Sequence, residues 1–119
     1  MNLAFIKEKF SLIEDYWSPK IIGEMNGQLV KIAKVKGDFI WHDHAQEDEL
    51  FYIVKGELTL SFRDKVETLK EGDLRIIPRS VEHKPSAEEE VWLMMIEPAS
   101  TVNTGQAESE LTVNTLDRI

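Results

Sequence analysis

Three histidines and one glutamate carry the most specific chemistry in this sequence. The run Trp41-His42-Asp43-His44 places two imidazoles two residues apart, and on a strand that spacing sets both on one face, about 6.6 Å apart along the chain. If that face lines a cavity, the two rings converge on one point, as ligands of a metal ion do. Glu49 follows His44 by five residues, an odd offset that would turn it away on an uninterrupted strand. The polar stretch Ala45-Gln46-Glu47-Asp48 can reverse the chain and bring Glu49 to the start of the next strand, facing the histidines. His83 follows a segment that Gly72 opens and Pro78 closes where no ladder donor is required, with a short turn leading back. Three neutral imidazoles and a carboxylate suit manganese, iron, cobalt, nickel, copper or zinc. Four protein ligands on an octahedral ion leave two positions for water, dioxygen or a chelating substrate.

Composition narrows what such a site serves. The 119 residues, 42% hydrophobic and 30% charged, make one domain with one core. A net charge of −8 argues against nucleic acid and anionic membrane surfaces as partners. The absence of cysteine removes disulfide scaffolds, thiolate zinc sites, iron–sulfur clusters and cysteine nucleophiles together. Neither a signal peptide nor an apolar window of about 20 residues is present, so the cytoplasm is the expected location.

The elements that must position the four residues follow from periodicity. Leu3 to Trp17 carries Phe5, Ile6, Phe10, Ile13 and Trp17 at three- and four-residue steps, which predicts an amphipathic helix ended by Ser18-Pro19. Strands are predicted near Ile21 to Met25, Gln28 to Val35, Phe39 to His44, Leu50 to Val54, Glu57 to Phe62, Val66 to Leu69, Asp73 to Ile77 and Val91 to Glu97. Asn26-Gly27 is the strongest hairpin signal, with Lys55-Gly56 and Arg63-Asp64-Lys65 as further tight turns. Eight short strands without helical crossovers predict an all-β fold, with a double-sheet jelly roll as the leading architecture. The layout is then a single domain: helix in 1–18, barrel in 21–97 and a tail in 98–119. The tail is too apolar at Leu111, Val113, Leu116 and Ile119 to be freely solvated, and it is expected to pack on the barrel or a partner subunit. Its two Thr-Val-Asn-Thr words, at 101 and 112, are read as coincidence, and Glu88-Glu89-Glu90 as a solvated loop.

The segment from Gly37 to Gly56 resembles the first cupin motif and that from Gly72 to His83 the second. Gly37, His42, His44, Glu49 and Gly56 match the first, and Gly72, Pro78 and His83 the second. Gly37 stands one residue nearer His42 than usual, Ser80 replaces the glycine after the second motif's proline, and Ala87 replaces a terminal asparagine. None is a ligand position. The resemblance implies a cupin jelly-roll barrel of the small single-domain type, whose members are often described as similar to mannose-6-phosphate isomerase. It maps the family's metal ligands onto His42, His44, Glu49 and His83. Cupins include isomerases, epimerases, dioxygenases, decarboxylases, storage proteins and sensors, so the resemblance does not select a reaction.

Counting parity from these ligands turns Ile40, Phe51, Ile53, Leu58, Leu60 and Phe62 toward the pocket, and turns Arg75 outward if Leu74 and Ile76 face in. Val91 to Ile96 is apolar on both faces, which predicts either a homodimer interface or cover by the N-terminal helix. The leading functional expectation is a metal-dependent enzyme acting on a small organic molecule, of dioxygenase or isomerase type. Its rivals are a non-catalytic binding or sensor barrel and a pocket packed shut by Phe51, Phe62, Trp92 or Met94.

Overall fold

The computed structural model describes residues 3–119. After a short helix α1 (Ile6–Ser11) the chain forms β1 (Lys20–Met25), β2 (Gln28–Asp38), β3 (Glu49–Lys55), β4 (Glu57–Phe62), β5 (Val66–Lys70), β6 (Leu74–Ile77) and β7 (His83–Pro98). All strand pairings are antiparallel. The long strand β7 is the spine. Its first residues pair with β4 and its last with β3, while β2 runs beside nearly its whole length. The order β1-β2-β7-β3-β6 therefore makes one layer, and β7 bends over to carry β4 and β5 into the other. The β2–β7 register shifts between Val35 and Gly37, where Gly37 takes φ +82°, a conformation that costs glycine little. The fold is an all-β jelly roll with a short N-terminal helix, as the sequence leads one to expect.

Two apolar layers hold it together. Inside the barrel, Ala33, Val35, Phe51, Ile53, Leu58, Leu60, Phe62, Val91 and Leu93 form the larger core. Outside the first sheet, Phe10 and Ile13 cover Ile22 and Ile32, and Phe10 stacks on Trp92 at 4.8 Å. The doubly apolar run of β7 is thus explained within one chain at Trp92 and Met94, which lie under α1.

Several sequence expectations change. The helix spans six residues rather than Leu3 to Trp17, a length held by packing rather than by its own cooperativity. Beyond it the backbone is taken up by β2: Tyr16 bridges to Lys34, and the Trp17 amide donates to Lys34 O at 3.0 Å. Trp17 consequently sits at φ +58°, outside any helix. Phe39 to His44 is not a strand. Its amides bond only at intervals, Phe39 N to Pro85 O and His42 N to His83 O, each at 3.0 Å, so strict alternation is lost and Phe39 is buried where Ile40 was expected. Glu88-Glu89-Glu90 lies within β7 as exposed strand rather than loop. On β6, Leu74 and Ile76 are 56% and 52% exposed, whereas Arg75 is half-buried. The register decides this, because Arg75 pairs with inward-facing Phe51 and Leu74 with outward-facing Tyr52. Arg75 then donates to Glu67 of β5 at 2.6 Å and lies 4.9 Å from the centre of the Phe62 ring, bridging two strands that do not pair.

The tail packs on the barrel. Ile119 N donates to Ile21 O at 3.0 Å, Ile21 N donates to Asp117 O at 2.8 Å, and Gln106 N donates to Asp43 O at 3.2 Å. The first Thr-Val-Asn-Thr word touches residues around the start of the second: the Asn103 amide bonds Leu111 O and Val113 N, and Thr104 Oγ1 meets Thr112 Oγ1 at 2.7 Å.

Candidate metal centre

The two motifs meet because His42 and His83 exchange backbone hydrogen bonds, His42 N to His83 O at 3.0 Å and His83 N to His42 O at 2.9 Å. A third link runs from Ser80 N to His44 O at 2.7 Å. Ser80 takes φ +67°, the left-handed conformation that the motif's usual glycine adopts without strain. Glu49 is the first residue of β3, so the turn inferred from parity is present.

The side chains of His42, His44, Glu49 and His83 are all buried, and one potential ligand atom from each falls within 4.8 Å of the others. Glu49 Oε1 lies 3.1 Å from His44 Nε2, and Glu49 Oε2 lies 3.1 Å from His83 Nε2. Ligands bound at about 2.1 Å stand about 3 Å from their neighbours around an octahedral ion, so these separations suit a transition metal.

Proton placement sharpens the point. His42 Nδ1 is 2.9 Å from Ile40 O and His83 Nδ1 is 2.8 Å from Val81 O. A carbonyl only accepts, so both Nδ1 atoms carry a hydrogen, and Nε2 is the nitrogen that each ring has left to serve as a ligand. His83 Nε2 lies 3.1 Å from Glu49 Oε2, a contact that a proton on the ring or a cation shared by both atoms would satisfy. Among the described residues, neither ring nitrogen of His44 has an aligned hydrogen-bond partner. Burial, aided by the neighbouring His83, lowers the pKa of His42 to about 4 and keeps it neutral. Burial pushes Glu49 upward, but the contacts from His44 and His83 outweigh it and hold the carboxyl well below the usual range.

A small cavity of about 40 Å³ adjoins this cluster. His42 and Glu49 line it with apolar Ala33, Val35, Phe39, Phe51, Leu93 and Met95, while Trp17, Pro19, Pro85, Glu97 and Asn103 complete its wall. Of the residues expected to line the pocket, Phe51 does. Ile53, Leu58, Leu60 and Phe62 lie in the core rather than on the cavity wall, and Phe39 replaces Ile40 there. Of the residues expected to pack a closed pocket, Trp92 and Met94 belong to the opposite face, whereas Phe51 lines the cavity and Phe62 lies in the core.

Sequence reasoning missed Glu97. It is buried, and Lys31 donates to its Oε1 at 2.7 Å. Its Oε2 has no hydrogen-bond partner among the described residues. Burial, with the negative charge of Glu49 close by, raises its pKa well above the usual range, and Lys31 opposes that rise. Parity held the signal: Glu97 continues the inward series Leu93, Met95, and Lys31 interrupts the inward series Leu29, Ala33, Val35.

The family model described as "Cupin domain" matches residues 28–97, more than half of the chain. The chain belongs to the cupin family. This cupin is similar to a cupin-2 domain protein from Shewanella frigidimarina, with 47% identity and a TM-score of 0.79 over 81% of this chain and 94% of that one. It also resembles protein NMB1881 from Neisseria meningitidis, at 31% identity and a TM-score of 0.76 over 82% of this chain and all of the other. The uncharacterized protein YdbB of Bacillus subtilis is 39% identical over 64 residues, a stretch covering 53% of this cupin and 57% of that relative. No helix among the described residues is long and apolar enough to cross a membrane.

Proposed function

We propose that this cupin holds one divalent transition metal on His42, His44, Glu49 and His83 and uses it to act on a small organic molecule. The observation that carries this reading is the convergence of three buried imidazoles and the Glu49 carboxylate, with one potential ligand atom from each within 4.8 Å of the others. Iron, manganese, nickel, zinc and copper all fit the donor set, and a bound divalent ion changes the formal charge from −8 to about −6. When bound, the metal supplies Lewis-acid polarisation or dioxygen activation, the chemistry of isomerase- or dioxygenase-type reactions. The chain itself contributes the rest. Ile40 O and Val81 O fix two imidazole tautomers, Phe39, Phe51 and Met95 give the adjoining space an apolar lining, and Glu97 Oε2, without a hydrogen-bond partner among the described residues, offers a polar contact to a ligand.

A second reading, a non-catalytic binding or sensor barrel, draws on the same cavity. Its small volume and the pairing of Glu97 with Lys31 leave little room or free acid–base chemistry beyond the ligands. Turnover in a screen of small substrates by metal-loaded protein separates the two, since a binder saturates without product.

Metal analysis of untagged protein tests the shared core of both readings. His44→Ala is expected to lower metal affinity by at least about 100-fold. Metal on fewer than about a tenth of wild-type chains, with no thermal shift on adding metal, overturns the proposal.

We also propose that two copies pair through the outer face of β3 and β6, where Tyr52, Leu74 and Ile76 are exposed and one edge of β6 carries no neighbouring strand among the described residues. Sedimentation should give a dimer mass that Ile76→Lys reduces to a monomer; a wild-type monomer overturns it. The cytoplasm remains the proposed location.

A further inference from the structure

Of the three imidazoles in the metal centre, two are oriented by carbonyl acceptors and one is not. Neither ring nitrogen of His44 has an aligned partner among the described residues, although the ring is buried. Nε2 faces Glu49 Oε1 at 3.1 Å without hydrogen-bond alignment, and what lies against Nδ1 is the C-terminal tail. Gly105, at φ +58°, packs so closely that a Cβ built on it would overlap the carbonyl oxygen of Asp43, come within 2.8 Å of that carbonyl carbon and stand 3.3 Å from His44 Nδ1. The next residue, Gln106, grips Asp43 twice. Its backbone N–H donates to Asp43 O at 3.2 Å, and its side-chain amide reaches the carboxylate oxygens at 3.2 and 3.3 Å.

The tail is itself anchored. Gly105 N donates to Val102 O at 2.8 Å, Thr104 is fully buried against Thr112, and the Asn103 amide binds Leu111 and Val113. Asp43 stands between the two ligand histidines, so a clamp on Asp43 fixes the loop that aims both rings. On the opposite side, His44 O accepts from Ser80 N.

We infer that Gly105 and Gln106 are positioning residues of the metal centre, which hold His44 by close packing and by clamping Asp43 where a hydrogen bond to the ring would otherwise do so. This rests on the metal reading above. The tail thereby becomes part of the site, and Gly105 is a glycine for two reasons: its left-handed backbone and the absence of space for a side chain.

Cobalt(II) affinity and the absorption spectrum of bound cobalt(II) in the full-length chain test this. Gly105→Ala is expected to weaken cobalt(II) binding by at least about tenfold and to alter the spectrum, a loss typical of residues that orient ligands. Gly27→Ala is the control, because Gly27 also has positive φ, +77°, but open space where a Cβ would go. It should lower stability without moving cobalt(II) affinity. Gln106→Ala adds no atoms and removes only the side-chain half of the clamp, so it should weaken binding severalfold with the fold intact. Wild-type affinity and spectrum in Gln106→Ala, together with the same in any Gly105→Ala that folds, overturn the inference while leaving the metal reading in place. Equal weakening in Gly27→Ala also overturns it, by assigning the effect to stability alone. Failure of the wild-type chain to take up cobalt(II) overturns both.

Discussion

Two buried polar groups border one cavity in this cupin, and they are balanced in different ways. Lys31 and Glu97 are a matched pair, opposite charges 2.7 Å apart across neighbouring strands. The cluster of His42, His44, Glu49 and His83 is unmatched. It gathers three imidazoles and a carboxylate around a common point, with two nitrogen–oxygen separations of 3.1 Å. Burial of the first is offset within the chain, whereas the second gathers ligand-type groups that could hold a metal ion. A pair that meets within the chain is read as support for the barrel, and a cluster of ligand-type groups as a candidate place for a guest.

The sharpest way to break this contrast is to remove one partner of the matched pair. Lys31→Met leaves the Glu97 carboxyl buried without its cation and should cost about 3–5 kcal/mol in urea denaturation of the metal-free protein. A loss below about 1 kcal/mol would show that Glu97 does not depend on Lys31. The unmatched cluster should respond to acid. His42 keeps its proton off down to about pH 4 in the folded state, against an ordinary value of 6.5. Between those values the unfolded chain binds the extra proton, so the His42 contribution rises with pH across the window and is lost as pH falls through it. The wild type should lose about 3 kcal/mol more than His42→Gln between pH 6.5 and 4 in the metal-free form. Parallel acid titrations of stability would contradict this. The smallest effect is mass action: metal at 100 times its dissociation constant should stabilise the wild type by about 2.7 kcal/mol and leave His44→Ala unmoved.

Much of this arrangement was legible in the sequence where local chemistry dominates. Asn26-Gly27 makes the β1–β2 turn, with both residues at positive φ, and His42, His44, Glu49 and His83 converge as motif spacing implied. Legibility ended where backbone partners distant in sequence take control. Trp17 fits a helical step but is held by Lys34, and residues 39–44 alternate as a strand would but bond only at intervals to β7 and the residues around it. Arg75 was expected to point outward if Leu74 and Ile76 face in, yet its register opposite Phe51 places it over Phe62. Lys31 and Glu97 were hidden for a related reason. Each alone on an inward parity looks like an error, and only the pairing of β2 with β7 makes them a unit.

The central place of β7 has a consequence for the order of assembly. It pairs with β2, β3 and β4, all earlier in the chain, and it begins with His83 and carries Glu97 near its end. As the chain is synthesised, the early strands have no spine to dock on until β7 has emerged, and contacts of such sequence separation form slowly. His42, His44 and Glu49 therefore wait for the same strand that joins the two sheets. The candidate site is among the last parts of the molecule to form, so a newly made chain cannot bring its four residues together until its barrel is nearly closed.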